Sequence, residues 1–174
     1  MQPTTNRNLL SQSIEGQLRD LLVGRVCIVG VGNRHRRDDA AGPRVIDLRR
    51  PEAQGAWIDS GVAPENHLEP IARTNPDTIL IVDAVDFGGN PGECQIMESG
   101  AMEMMAMSTH AGSLQMLGDY LFIRTGVRPI VLAIQPENID MGESLSDPVA
   151  RSVHKVADVL CDLLSRDGPV LSKE

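Results

Sequence analysis

Aromatic residues are nearly absent: two phenylalanines, one tyrosine and one tryptophan make up 2% of 174 residues. A core built from this chain must therefore be aliphatic, assembled from Val, Ile, Leu, Met and Ala. Cysteine is scarce too. Cys27, Cys94 and Cys161 are odd in number and far apart, with no CxxC pair to suggest a zinc knuckle or a redox dithiol. They read as small buried hydrophobes in a reducing compartment. Basic charge is in deficit: 16 Lys and Arg against 24 Asp and Glu leave a formal charge of −8 and a pI near 5.0. A general nucleic-acid binder needs a basic face to displace counterions, so nucleic acid is excluded as a partner. No apolar run is long enough to span a bilayer, and the N-terminus has no signal-peptide core. The expectation is a cytoplasmic protein with no membrane partner.

What is present reads as one α/β domain, since 174 residues bury a proper core without staples. Residues 1–24 form a polar tail and an amphipathic helix, with Leu10, Ile14, Leu18 and Leu21 at helical spacing. That helix is expected on the outside of the domain, which runs over 25–166 and leaves 167–174 as a tail. Val26 to Val31 and Thr78 to Val82 are apolar without alternation, as parallel strands buried on both faces are. Further strands are predicted at Ala56–Asp59 and Pro129–Ile134. Helices are predicted at Ala40–Arg50, Pro64–Thr74 and Ser113–Thr125. Glu93–Met97, returning from the Gly88-Gly89-Asn90-Pro91-Gly92 turn, reads as an antiparallel edge strand. In the last helix Asp147 is the expected cap and Pro148 suits the first turn. Val149, Val153, Val156, Leu160 and Leu163 form its apolar stripe. Together these elements predict three layers, with a twisted, mostly parallel sheet between helices.

Polar residues gather where strands run into helices, the edge at which open α/β sheets bind ligands. After the first strand come Gly30-Val31-Gly32-Asn33, four basic or imidazole residues (Arg34, His35, Arg36, Arg37), and then Asp38-Asp39. The central strand ends at Asp83, with Asp86 close behind. Ser108-Thr109-His110 precede a helix. Singly, each has a plain explanation as a cap, a turn former or a packed core residue. Together, two carboxylates and an imidazole at one edge make a ligand set for a borderline divalent metal such as zinc or nickel. Nucleotide binding competes, through Gly30-Val31-Gly32. The third glycine of that fingerprint falls at position 35, which is His35, and the paired acids would repel a phosphate. Neither a GxSxG elbow nor an HExxH helix occurs. Met102, Met104, Met105 and Met107 read as a flexible apolar loop. His67 and His154 read as surface residues.

Five segments then resemble, in order, the motifs of the hydrogenase maturation endopeptidases. They are Gly30–Asn33 with Asp38–Pro43, Asp59–Asn66, Leu80–Asp86 with Asn90–Glu93, Ser108–His110, and Leu132–Pro136. The second has the form found in the subgroup serving hydrogen-evolving hydrogenases. The resemblance implies an endopeptidase, aspartic-type or metal-dependent, acting on the precursor of a nickel–iron hydrogenase large subunit. It would remove the C-terminal extension once nickel is installed. The family's metal-contacting positions fall on Asp39, Asp83 and His110, which implies that these three recognise nickel carried by the precursor. A zinc resident in the protein, and a precursor- or nickel-binding chaperone that does not cut, are the alternatives. The resemblance also implies a monomer. The chain departs from the family pattern at Arg34–Arg37 and at Ala40; a basic loop in that place either suits an acidic tail on the substrate or marks a diverged member with another substrate.

Overall fold

The computed structural model describes residues 13–98 and 111–165. Leu10, the Met102–Met107 cluster and the segment Ser108–His110 lie outside them.

The chain runs through α1 (Ile14–Leu21), β1 (Val26–Val31), a 3-10 turn (Arg37–Ala40) and α2 (Ala41–Asp47). It continues through β2 (Ala56–Gly61), a 3-10 turn (Pro64–His67), α3 (Leu68–Ala72), β3 (Thr78–Ala84) and β4 (Cys94–Glu98). The last elements are α4 (Ala111–Thr125), β5 (Ile130–Ile134) and α5 (Asp147–Leu163). The five strands form one sheet in the order β2-β1-β3-β5-β4. All neighbours are parallel except β4, which runs antiparallel to β5 at the edge.

Two apolar clusters, one on each face, explain why the strands lack alternation. Val26, Ile28, Leu80, Val82, Leu132 and Ile134 point to a cluster completed by α1, α2 and α5. Cys27, Val29, Ile79, Ile81, Val131 and Ala133 point to the other, closed by α3 and α4. Every residue of β1 and β3 is buried, so a polar side chain in either strand must serve some purpose to offset its desolvation.

α1 is better integrated than its place before the motifs suggests. Ser13 caps it, its hydroxyl accepting from Gly16 N at 3.2 Å, while Leu18 and Leu22 are fully buried. The chain leaving α1 is stitched to β3 by Thr78, whose hydroxyl accepts from Val23 N (3.1 Å) and donates to Val23 O (2.8 Å).

α5 begins one residue earlier than its expected cap implies. Ser146, in an extended conformation, holds the N-cap position, and Asp147 is the first helical residue. Asp147 can still favour the helix through the dipole. Ser146 makes no cap bond to its own helix because its hydroxyl is bonded elsewhere.

Cys27 and Cys161 are buried and Cys94 is half-buried, all as free thiols. Burial pushes the Cys27 and Cys94 thiols up to about 11. A thiolate is the reactive form, so neither should react with iodoacetamide at pH 8 until the protein unfolds. Rapid native labelling of Cys27, read by mass, would contradict this packing. The same shifts set a sign for stability. The contribution of each thiol is full below the unfolded value near 9 and is lost as pH rises towards 11.

Candidate active site

Strand order reverses between β1 and β3: the chain steps from β1 to β2 on one side, and β3 lies on the other. Crevices at the carboxyl ends of strands flanking such a switch point are the usual ligand sites of open α/β sheets. Asp39 lies in the 3-10 turn after β1 and Asp83 is the last residue but one of β3, so both sequence-predicted carboxylates lie towards the carboxyl ends of the strands that flank this switch point.

Two glycines make the approach possible. Gly32 has φ +145°, and a Cβ there would fall 1.8 Å from the Asp39 carbonyl oxygen. The turn carrying Asp39 can therefore lie directly against the end of β1. Gly42, in the first turn of α2, sits where a Cβ would fall 2.3 Å from the carbonyl oxygens of both Val31 and Val82. α2 thus presses its N-terminal turn onto β1 and β3 together, and the 3-10 turn ahead of it packs against β3.

Asp39 is 2% exposed and its Oδ2 accepts from Asn33 N at 3.2 Å. Asp83 is fully buried, in register with Ala133, and so faces the side closed by α4. Two buried acids, one in the turn after β1 and one near the carboxyl end of β3, form an oxygen ligand pair of the kind that meets a divalent cation. His110 directly precedes α4 in the chain and lies outside the described residues. Among the described residues, no group of three His, Cys, Asp or Glu side chains is placed to hold a metal.

The adjacent acid does something different. Asp38 is fully buried and turns away from the crevice into the β5–α5 loop. Its Oδ2 accepts from Glu137 N and Asn138 N at 2.9 Å each and from the Ser146 hydroxyl at 2.9 Å; its Oδ1 accepts from Ser146 N at 2.7 Å. Backbone bonds add to the junction: Asp38 N to Asn138 O (3.1 Å), Arg37 N to Gly142 O (2.8 Å) and Gly142 N to His35 O (2.9 Å). Asp38 is therefore the peg that holds the Asp39 turn against the loop leading into α5. Nothing in the sequence pair Asp38-Asp39 tells the two roles apart.

The basic loop is largely engaged within the protein. Arg34 bridges Asp47 at the end of α2 (2.7 Å) and Asp59 in β2 (2.7 Å). Those two carboxylates, Asp47 first, raise the Arg34 pKa beyond any accessible pH. Arg36 Nε donates to Ile139 O at 3.1 Å, and the Arg37 side chain packs against Gly142. Arg34 and Arg36, two of the residues that suggested a dock for an acidic tail, thus clamp the loop instead. Arg34 is about one-third exposed, so Arg34→Ala should lower stability by only about 1 kcal/mol. Urea unfolding would check this, and a loss above about 3 kcal/mol would mean that the clamp is more deeply coupled.

Two further features were not singled out for a role by sequence reading. Gln135, buried at the end of β5, accepts from Phe87 N (2.9 Å) and Gly89 N (3.1 Å) and donates to Asp86 Oδ1 (3.0 Å). It fixes the loop after β3, and its bond holds the Asp86 carboxyl below the usual range, helped by Gly88 N. The only sequence signal was its place in the Leu132–Pro136 segment. Beside Gly32, a groove of about 550 Å³ opens between the ends of β1 and β2, lined in part by Asn33, His35, Asp59, Val62 and His67.

A family profile described as hydrogenase maturation protease matches residues 47–163, well over half of the chain. The chain belongs to the hydrogenase maturation protease family. Hydrogenase 3 maturation protease of Escherichia coli K12 is 38% identical over 129 residues, covering 72% of this chain and 82% of that protein. HycI, a [NiFe] hydrogenase maturation protease from Thermococcus kodakarensis KOD1, is a similar solved structure. It has 29% identity and a TM-score of 0.75, covering 85% of this chain and 98% of that one. The endopeptidase HycI of Escherichia coli shares 30% identity and a TM-score of 0.71, over 87% and 100% of the two chains.

As a hydrogenase maturation protease the chain is a peptidase, and the predicted architecture is the observed one: a mostly parallel sheet with one antiparallel pair between helices. The profile match begins after Asp39 and includes Asp83 and His110. No described helix is long and apolar enough to cross a membrane.

Proposed function

We propose that this protein is the endopeptidase that removes the C-terminal extension of a nickel–iron hydrogenase large-subunit precursor after nickel insertion. The reading is carried by two buried carboxylates, Asp39 and Asp83, at the switch point of a hydrogenase maturation protease fold. With His110, the third residue that the family resemblance implies, they meet the nickel that the precursor brings, so the metal is part of the substrate. Docking the metal sets the scissile peptide bond at the crevice. A water polarised there loses a proton to one carboxylate and attacks the carbonyl carbon; the C–N bond breaks, and the carboxylate returns the proton to the leaving amine. Cleavage then depends on metal insertion, which makes it a checkpoint. The protein acts as a monomer in the cytoplasm, where the precursor is loaded.

The test is the intact mass of a nickel-loaded precursor before and after incubation, with a nickel-free precursor as control. Loss of a C-terminal peptide from the loaded form alone is the expected result. No loss from an authentic loaded precursor would refute the proposal, as would equal cleavage of both forms. Elemental analysis of the purified protein should find no stoichiometric zinc; one zinc per chain would replace the substrate-borne metal with a resident one.

A further inference from the structure

A second groove, of about 370 Å³, lies at the same edge of the sheet beyond β5. One wall is the turn Asn90–Glu93 that leads into β4; the other is the N-terminal part of α5, with Pro148, Arg151, Ser152 and Lys155. The walls are fastened together. The Ser152 hydroxyl donates to Gly92 O at 2.5 Å, and Gly92 N donates to Gln135 O at 2.8 Å. The groove therefore has a fixed shape and is tied to the residue that also holds the loop after Asp83.

Its charge is unlike the rest of the surface. The chain carries a formal charge of −8, and most described arginines already face a carboxylate, Arg19, Arg34, Arg50 and Arg124 among them. Arg151 and Lys155 do not: both are exposed, one helical turn apart, and neither is ion-paired to a described residue. Glu93, the acid on the opposite wall, is folded back on its own turn, with Oε2 accepting from Asn90 N (2.9 Å) and Asn90 Nδ2 (3.3 Å). Both cations line the groove. The positive end of the α5 dipole lies at the same end of the helix and adds to their field.

Resting on the endopeptidase reading, we propose that this groove is a subsite of the protease, in which Arg151 and Lys155 bind a carboxylate of the substrate's peptide segment. The sheet order sets the reach. From Asp83 on β3 to the β4 end is two strand spacings, roughly 10 Å, which is about three residues of extended chain. An acidic side chain or a free C-terminal carboxylate about three residues from the cut bond would arrive there. The task that sequence reading gave to the Arg34–Arg37 loop thus passes to α5, because Arg34 is already neutralised by Asp47 and Asp59.

The experiment uses the full chain and the nickel-loaded precursor, in two forms. One is native; in the other, the acidic residues near the cut site are replaced by their amides. Arg151→Glu/Lys155→Glu should raise KM for the native precursor roughly ten-fold, the scale of two exposed ion pairs, with kcat within about two-fold of wild type. The penalty should vanish on the amide form, and added salt should raise the wild-type KM. Arg151→Ala/Lys155→Ala, with an unchanged melting temperature, should show the same pattern more weakly. Equal KM for wild type and variants on the native precursor would overturn the subsite, as would a loss of kcat identical on both precursors. Failure of the wild-type protein to cleave either form would remove the endopeptidase reading, and the subsite with it.

Discussion

Asp83→Asn protein is expected to fold, to bind the nickel-loaded precursor, and to release peptide at least about 1,000-fold more slowly than wild type. Asparagine keeps the shape of a side chain that is fully buried between β1 and β5. It removes the negative charge that would meet a cation and the basicity that would take a proton from water. Stability should change little, because the amide fills the same space. His110→Ala should show the same separation of folding from turnover. The two losses should not add, since both residues act on one metal. Single-turnover cleavage followed by mass, alongside a melting curve, reads all of this. A wild-type rate from Asp83→Asn would mean that this carboxylate neither meets the metal nor activates water.

Asp38→Ala should act through the fold. The substitution takes a side-chain acceptor from three backbone N–H groups, those of Glu137, Asn138 and Ser146, and from one hydroxyl. Each orphaned donor costs about 1–3 kcal/mol unless water reaches it. Some relaxation is expected, so the net loss should be about 3–5 kcal/mol. That corresponds to a fall in melting temperature of roughly 10 °C for a domain of this size. Activity should fall as well, because the turn that carries Asp39 loses its hold on the β5–α5 loop. Asp38→Asn should restore part of both, its amide oxygen still accepting from part of the loop. A melting temperature within about 1 °C of wild type for Asp38→Ala would show that Asp38 is no anchor.

The contrast between these neighbours shows where sequence reading stops. Asp38 and Asp39 are adjacent, equally acidic, and both at a strand-to-helix junction. Their separation into peg and candidate ligand arises because a 3-10 turn points consecutive side chains in different directions. Which direction meets the crevice depends on a loop about a hundred residues later in the chain. Resemblance selected Asp39; local chemistry could not. The Arg34–Arg37 run is a similar case. Composition shows four basic or imidazole residues beside the site, but Asp47 and Asp59, on α2 and β2, reach Arg34 only in the folded chain.

The cap of α5 adds a third instance. Ser146 and Asp147 are both good capping types, and the backbone begins the helix at Asp147. Asp38 takes the serine hydroxyl, an outcome set by a contact 108 residues away in sequence. α1 reads as an amphipathic helix on the outside of the domain, yet Leu18 and Leu22 enter the core. Amphipathicity reports that a helix has a face to bury, and not how deep that face will sit.

By itself, then, the sequence determined the layers and the ends. Unbroken aliphatic runs at Val26–Val31 and Thr78–Val82 demand coverage on both faces, and that demand makes a sheet between helices almost unavoidable. An acid closing such a run, as Asp83 does, marks the edge where burial gives way to chemistry. Tertiary structure alone decided which carboxylate the loop before α5 captures, which arginines are neutralised, and which cations remain open on α5. Those outcomes depend on contacts between residues far apart in the chain. Hydrophobic pattern is local and periodic, so it can be read along the chain; the pairing of a charge is settled only by which partner the fold brings within reach.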